Sequence, residues 1–382
     1  MKNLFFWFYY KPLWRIRLWL YNMLMEHWRY NYYLNVFKEI SKIKDVKKNI
    51  LTKKQKKEID EYYKKYYGKK VPYMWHNLIV HYNKFLNVRY IPPNVFLEII
   101  ENLNKKIKNN YIVCDKNLLY NFAAKTTASV PKRLFYSVNN LFFDSSNNKI
   151  SKENLYNQMS NIGEVFIKPS TLYHSGYARN CRIINVVDGV DTYSNKSIKN
   201  IIEKHYTEDF IVQEKIVCHK SISDIYPNSA NTFSVYTFIW NNEVKILKTI
   251  FKIGMGGNFT DYSGIAKDGL IMGINNDGTL FDSALCIKQD KWYNAHPDTG
   301  VIFKNHKIIN FPKVLETTKL LHYCIPWITF CRWDVTLNID GEPVFFEVEW
   351  PSEMLQQQIL YKDGFFGEYT EDILSSLRRR KD

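Results

Sequence analysis

The sequence predicts an α+β protein of two mixed helix–strand lobes behind a basic, aromatic-rich helical N-terminal region. Three observations carry this reading. After about residue 111, short strand-like runs mix irregularly with helical stretches, unlike the regular alternation of a doubly wound sheet. Residues 330–352 form one unbroken hairpin pattern around a Gly-containing turn. The cationic surplus lies almost wholly before residue 71, so the first segment differs in kind from the rest.

Residues 1–33 contain 13 aromatic residues, and Leu13, Ile16, Leu20 and Met23 recur at helical spacing with Lys11 and Arg15 off that stripe. Cations interleaved with Trp and Tyr suit a helix lying in a membrane interface. The competing reading is a helix packed on the core with its aromatic residues buried. The apolar run Leu4–Tyr10 has no small-residue cleavage site after it and is far shorter than the ~20 residues a spanning helix needs, which predicts a cytoplasmic chain, peripheral on the membrane's inner face. Residues 38–70 are Lys-rich and helical in pattern, with a break at Gly68 and Pro72. Two more helices are expected within residues 73–110 around Pro92-Pro93. Strands follow at Tyr111–Cys114, Glu164–Lys168, Cys181–Val187, Phe210–Lys215, Ser234–Trp240, Val244–Phe251, Trp333–Asn338 and Val344–Val348. Helices are expected near 116–126, 151–160, 195–205 and 311–324. The resulting division is an N-terminal region over 1–70, a helical lead-in and first lobe over 71–212, and a second lobe over 213–382.

Of the net charge of +15, residues 1–70 supply 12 through 18 Lys/Arg against 6 Asp/Glu, leaving a nearly neutral remainder of +3. A local surplus of this kind attracts anionic surfaces. No RNA-binding signature accompanies it, so no nucleic-acid partner is expected. Hydrophobic residues at 46% allow a sizeable core. The six cysteines show neither CxxC spacing nor a Cys/His cluster, which argues against a zinc site and for thiols in a reducing compartment.

The hairpin FCRWDVTLNIDGEPVFFEVEWPS holds the most chemistry. With residues 339–342 as the loop, Asp334 falls opposite Glu347 and Arg332 opposite Glu349. Arg332, Asp334, Glu347 and Glu349 then share one face, while Trp333, Val335, Leu337, Val344, Phe346 and Val348 share the apolar one. Three carboxylates on one face repel unless a cation sits among them, and Mg²⁺ takes such oxygen ligands together with phosphate oxygens. The alternative is a sheet face neutralised by Arg332 alone.

An Asp on one strand and Glu-x-Glu on the next resembles the metal-binding hairpin of the ATP-grasp family, with Glu349 standing where that family usually has Asn. Other segments follow in the family's order. Asp115-Lys116 opening a helix is similar to its first phosphate-binding lysine, and Phe166-Ile167-Lys168-Pro169 to the strand carrying its second. Ser175-Gly176 lies at the place of its small loop over the phosphates. Val212-Gln213-Glu214-Lys215-Ile216 resembles its hinge strand, whose backbone reads adenine. Narrower matches at His219, Ser229-Ala230-Asn231-Thr232, Lys252-Ile253-Gly254, Asp261, Gly264 and His296-Pro297-Asp298-Thr299-Gly300 resemble the sugar-transfer-associated group, found with polysaccharide and capsule assembly systems. That group tends to have Arg where this chain has Ser234 and Lys252.

The resemblance implies ATP and Mg²⁺ as cofactors and amide formation between a carboxylate and an amine through an acyl phosphate. Lys116 and Lys168, with Ser175, Gly176, Gln213, Glu214 and Ile216, would bind the nucleotide. Asp334, Glu347 and Glu349 would bind the metal, and Lys252, Arg332 and His296 would serve the reacting groups. The implied substrate is a small or lipid-linked sugar or amino acid. A sugar kinase and a non-catalytic module of a glycan assembly complex are the alternative functions.

Overall fold

The computed structural model describes residues 50–104, 114–171, 180–261, 268–349 and 354–378. The aromatic segment 1–33, all but Cys114 of the strand expected over Tyr111–Cys114, and Ser175, Gly176 and Gly264 lie outside them, and Cys114 itself is not in a strand. The chain divides into two units, Met1–Glu101 with Tyr369–Asp382, and Asn102–Glu368.

The first unit is helical. Thr52 and Gln55 form a reciprocal capping box that starts the helix Lys53–Tyr66, and Gly68 at φ 84° stops it, as the sequence predicted. Its lysines stand on the solvent face while Ile59 and Tyr63 are buried. The helices Met74–Asn83 and Pro93–Leu103 flank Pro92 as expected. The helix Thr370–Arg378 returns to this unit, where Glu371 accepts from Arg89 at 2.8 Å and from the Tyr62 hydroxyl at 2.9 Å.

The second unit holds two antiparallel sheets. The first comprises β1 Arg133–Val138, β2 Leu141–Asp144, β3 Lys149–Ile150, β4 Gly163–Pro169, β5 Arg182–Val187, β6 Val190–Asp191, β7 Lys196–Ser197 and β8 Phe210–Glu214, in the order β3-β2-β1-β8-β4-β5-β6-β7. Helices Lys152–Met159 and Ile198–His205 bury Leu155, Met159, Ile201 and Ile202 against Val165, Ile167, Ile184 and Val212 on one face. Strand alternation leaves Phe166, Lys168, Ile211 and Gln213 on the opposite face.

The second sheet comprises β9 Thr232–Trp240, β10 Glu243–Ile246, β11 Ile250–Ile253, β12 Leu270–Gly273, β13 Ala284–Cys286, β14 Lys291–Tyr293, β15 Phe330–Leu337 and β16 Pro343–Glu349. Its order is β14-β13-β12-β11-β9-β15-β16, with β10 also paired to β9. The single strand expected over Val244–Phe251 is two, β10 and β11, both pairing with β9 but with different parts of it. The chain leaves the sheet at Leu247–Thr249, where Leu247 N–H still bonds Tyr236 O at 2.9 Å. Phe233, Val235, Phe251, Ile253, Trp333, Val335 and Leu337 form the core of one face together with the helix Phe311–Tyr323. The described cysteines are free thiols.

Candidate active site

The site lies on the polar face of β15 and β16. Arg332 pairs with Glu349 and Asp334 with Glu347, as the sequence predicted, but by a different route. Asn338 N–H bonds Glu342 O at 2.9 Å, so the loop is only residues 339–341, one shorter than expected. The Asn338 side chain accepts from Asp340 and Glu342 N–H, and Gly341 takes φ 78°. From this loop Leu337 faces Pro343 and Val335 faces Phe345, until a bulge at Phe346 restores the register at Asp334. Two residues opposite one transpose the faces locally. Phe345 therefore enters the core where Phe346 was expected. Phe346 joins the polar side, its ring centre 5.8 Å from Lys168 Nζ, and Val344 pairs beside Thr336.

Asp334, Glu347 and Glu349 bring one carboxylate oxygen each to within 4.8 Å of one another. Each faces a cation. Lys116 Nζ, 3% exposed, is 2.9 Å from Glu347 Oε2. Lys252 Nζ is 3.4 Å from Asp334 Oδ2, and Arg332 Nη2 is 3.2 Å from the same oxygen while also donating to Glu349. Ser234, where the resembling group tends to have Arg, donates its hydroxyl to Asp334 Oδ1 at 2.6 Å. The departure thus replaces a cation with a neutral donor that orients the carboxylate.

These pairs set the charge states. Burial pushes Glu347 up, but Lys116 and Lys168 overcome it and hold the carboxyl well below the usual range. Burial also pushes Glu349 up, to about 7, against the pull of Arg332. Lys168, 5% exposed, is pulled down to about 8 by burial despite Glu347 nearby.

Lys116 is placed by its helix start. Asp115 caps the helix Lys116–Ala123 by accepting from Asn117 N–H, and Lys116 N–H bonds Ser170 O at 2.9 Å, one residue beyond β4. Lys168 and Gln213 share the same face of the first sheet, with Gln213 buried opposite Phe166. Glu214 faces outward, 3.1 Å from Lys132, and Ile216 packs on the second core.

The remaining motif residues bind loops together beside Lys252. Asn231 Oδ1 accepts from Ser229 at 2.6 Å and from Gly254 N–H at 3.0 Å. A Cβ on Gly254 would meet Ser229 Oγ and Tyr226 at 2.6 Å, so this approach requires glycine. His296 is buried, stacked on Tyr226 with ring centres 5.1 Å apart. Its Nδ1 accepts from Asp298 N–H at 3.2 Å, which fixes the proton on Nε2, and Nε2 donates to Gly254 O at 2.8 Å. Thr232 donates to Asp261. The structure thus brings Lys116, Lys168, Lys252, Arg332 and the three carboxylates together, and gives His296 a loop-bracing position.

A hard, all-oxygen donor set among buried lysines suits Mg²⁺ beside phosphate oxygens. A family model described as sugar-transfer associated ATP-grasp matches residues 97–373. The two antiparallel lobes thus form an ATP-grasp fold. Within that class, the chain belongs to the sugar-transfer associated ATP-grasp family. The chain is also similar to VanG D-Ala:D-Ser ligase from Enterococcus faecalis at 14% identity, covering 69% of this chain and 61% of that one with a TM-score of 0.40. L-amino acid ligase from Bacillus licheniformis is similar at 11% identity, covering 71% and 50%, with a TM-score of 0.36. D-alanine-D-alanine ligase from Coxiella burnetii is similar at 11% identity, covering 75% and 66%, with a TM-score of 0.39. The chain therefore spans about half to two thirds of those structures. A search of curated proteins finds no match. No helix among the described residues is long and apolar enough to cross a membrane.

Proposed function

We propose that the chain is an ATP-dependent carboxylate–amine ligase acting on a uronic acid, amino sugar or amino acid of a surface glycan. The observation that carries this reading is the ring of buried cations, Lys116, Lys168, Lys252 and Arg332, around Asp334, Glu347 and Glu349. ATP would lie between the two sheets, the chain passing from the first to the second after β8, which ends at Glu214. By the family resemblance, Gln213, Glu214 and Ile216 would border adenine, and Ser175 and Gly176 would belong to the loop over the phosphates. Lys116 and Lys168 hold phosphate oxygens as compact charges. Asp334, Glu347 and Glu349 offer carboxylate oxygens to Mg²⁺, which supplies charge neutralisation at the phosphates when bound. Lys252 and Arg332 stabilise negative charge as the substrate carboxylate takes the γ-phosphoryl group and ADP leaves. An amine then attacks the acyl carbon, displacing phosphate and leaving an amide. His296 holds the Gly254 loop, and with it the end of β11 that carries Lys252.

The test is product analysis with Mg-ATP, a panel of uronic acids and a panel of amino sugars and amino acids. The expected products are an amide, ADP and free phosphate in equal amounts. Phosphate recovered on a sugar hydroxyl would replace the ligase with a kinase, and absence of ATP binding would make the chain a non-catalytic module.

We also propose that residues 1–33 hold the chain at an anionic membrane surface, near lipid-linked substrate. Each Lys or Arg near such a surface contributes about 1 kcal/mol. The full chain is expected to float with anionic vesicles at low salt and less so at high salt, and deletion of residues 1–33 is expected to release it. Failure of the full chain to float at low salt defeats this assignment.

A further inference from the structure

Every carboxylate of the candidate metal site is already engaged by a cation of the chain itself. Glu347 is held by Lys116 at 2.9 Å, Asp334 by Lys252 at 3.4 Å and by Arg332 at 3.2 Å, and Glu349 by Arg332. With Lys168 nearby, this cluster of described residues sets four cations against three carboxylates. Lys116, Lys168, Lys252 and Arg332 are each about 5% exposed or less, so water does little to screen them. A divalent cation entering alone adds to a positive, buried balance and must push ammonium groups off their carboxylates with nothing to receive them. Nucleotide phosphates do the reverse: they turn the local balance negative and offer the lysines new oxygen partners.

On the reading of this face as a Mg-ATP site, we propose that it fills in a fixed order, nucleotide before metal. The step is an exchange of partners, in which phosphate oxygens draw Lys116 from Glu347 and Lys252 from Asp334 and so free both carboxylates. Glu349 keeps its pair with Arg332 and turns its remaining lone pairs to the metal. A neutral Asn at this position would leave the guanidinium paired with Asp334 alone, so the extra carboxylate is the counter-charge that stops Arg332 from occupying Asp334 fully.

The internal lysines therefore compete with metal, and removing one should improve metal binding in the nucleotide-free protein. The probe is Mn²⁺ alone, with free ion measured by electron paramagnetic resonance on the full chain. Wild type is expected to show weak binding. Lys116→Gln and Lys252→Gln are each expected to bind Mn²⁺ about tenfold more tightly, a gain that damage to the fold does not produce. In wild type, ADP is expected to bind in the presence of EDTA, and metal and ADP to tighten each other's binding by the same factor. If both lysine variants bind Mn²⁺ no better than wild type, the exchange is overturned. Tight Mn²⁺ binding by nucleotide-free wild type overturns the order. Absence of ADP binding with or without metal strikes the ATP-site reading itself, and the order with it.

Discussion

Asp334→Asn is expected to leave a folded chain whose ATP turnover falls by a factor on the order of 10³ or more. The substitution is nearly isosteric, and the buried amide can satisfy its surroundings. Its oxygen can face Lys252 and Arg332, which now approach Oδ2 at 3.4 and 3.2 Å, while its NH₂ donates to Ser234, whose hydroxyl can accept. What the amide lacks is the negative charge that answers a divalent ion. Glu347→Gln should be equally inactive, and each substitution should lower the melting temperature, because each leaves a buried cation without its carboxylate. Glu347→Gln leaves Lys116, 3% exposed, beside a neutral group in place of the carboxylate 2.9 Å away, and breaking a buried pair from one side costs about 3–5 kcal/mol. ATP consumption and thermal melting separate the two losses. Turnover at wild-type rates in Asp334→Asn would remove the metal assignment.

Lys168→Ala is expected to weaken ATP binding by about 10–100-fold, the loss of one or two charge-assisted contacts. The side chain is buried with Nζ about 6 Å from the ring centres of both Phe166 and Phe346, and burial pulls the pKa of its ammonium down to about 8. Its place is therefore costly to the apo protein, and the substitution should not lower the melting temperature. Lys64→Ala, on the exposed side of the helix Lys53–Tyr66, is expected to change neither property. Calorimetric titration of ATP into both variants decides it. Equal weakening in the two would mean that overall charge, not a phosphate contact at Lys168, governs binding.

The helix that presents Lys116 was legible because its signals are local: Asp115 is a good N-cap, and the cap fixes which residue begins the helix. The Lys53–Tyr66 helix and its Gly68 stop were legible for the same reason. So was the strand carrying Lys168, whose flanking apolar residues alternate. Strands β1–β3, β6, β7 and β12–β14 were not anticipated. They are short, and whether such runs become strands depends on the neighbours they pair with, which the sequence alone does not name.

By itself, then, the sequence determined the charge asymmetry, the helix that opens at Lys116, the strand that carries Lys168 and the hairpin of β15 and β16. It also placed Asp334 opposite Glu347 correctly, though through two errors that cancel: a loop one residue too long and an unseen bulge. Only the tertiary structure decided the loop and bulge, and so which of Phe345 and Phe346 enters the core, because the apolar pattern VFFEV accepts either. It alone showed that Ser234 orients Asp334, that both His296 nitrogens are engaged, and that Lys116 and Lys252 neutralise Glu347 and Asp334. The reason is physical: apart from the Asp298–His296 bond, these are contacts between residues some 40 to 230 positions apart, set by how two sheets and a helix pack, and no local periodicity encodes such separations.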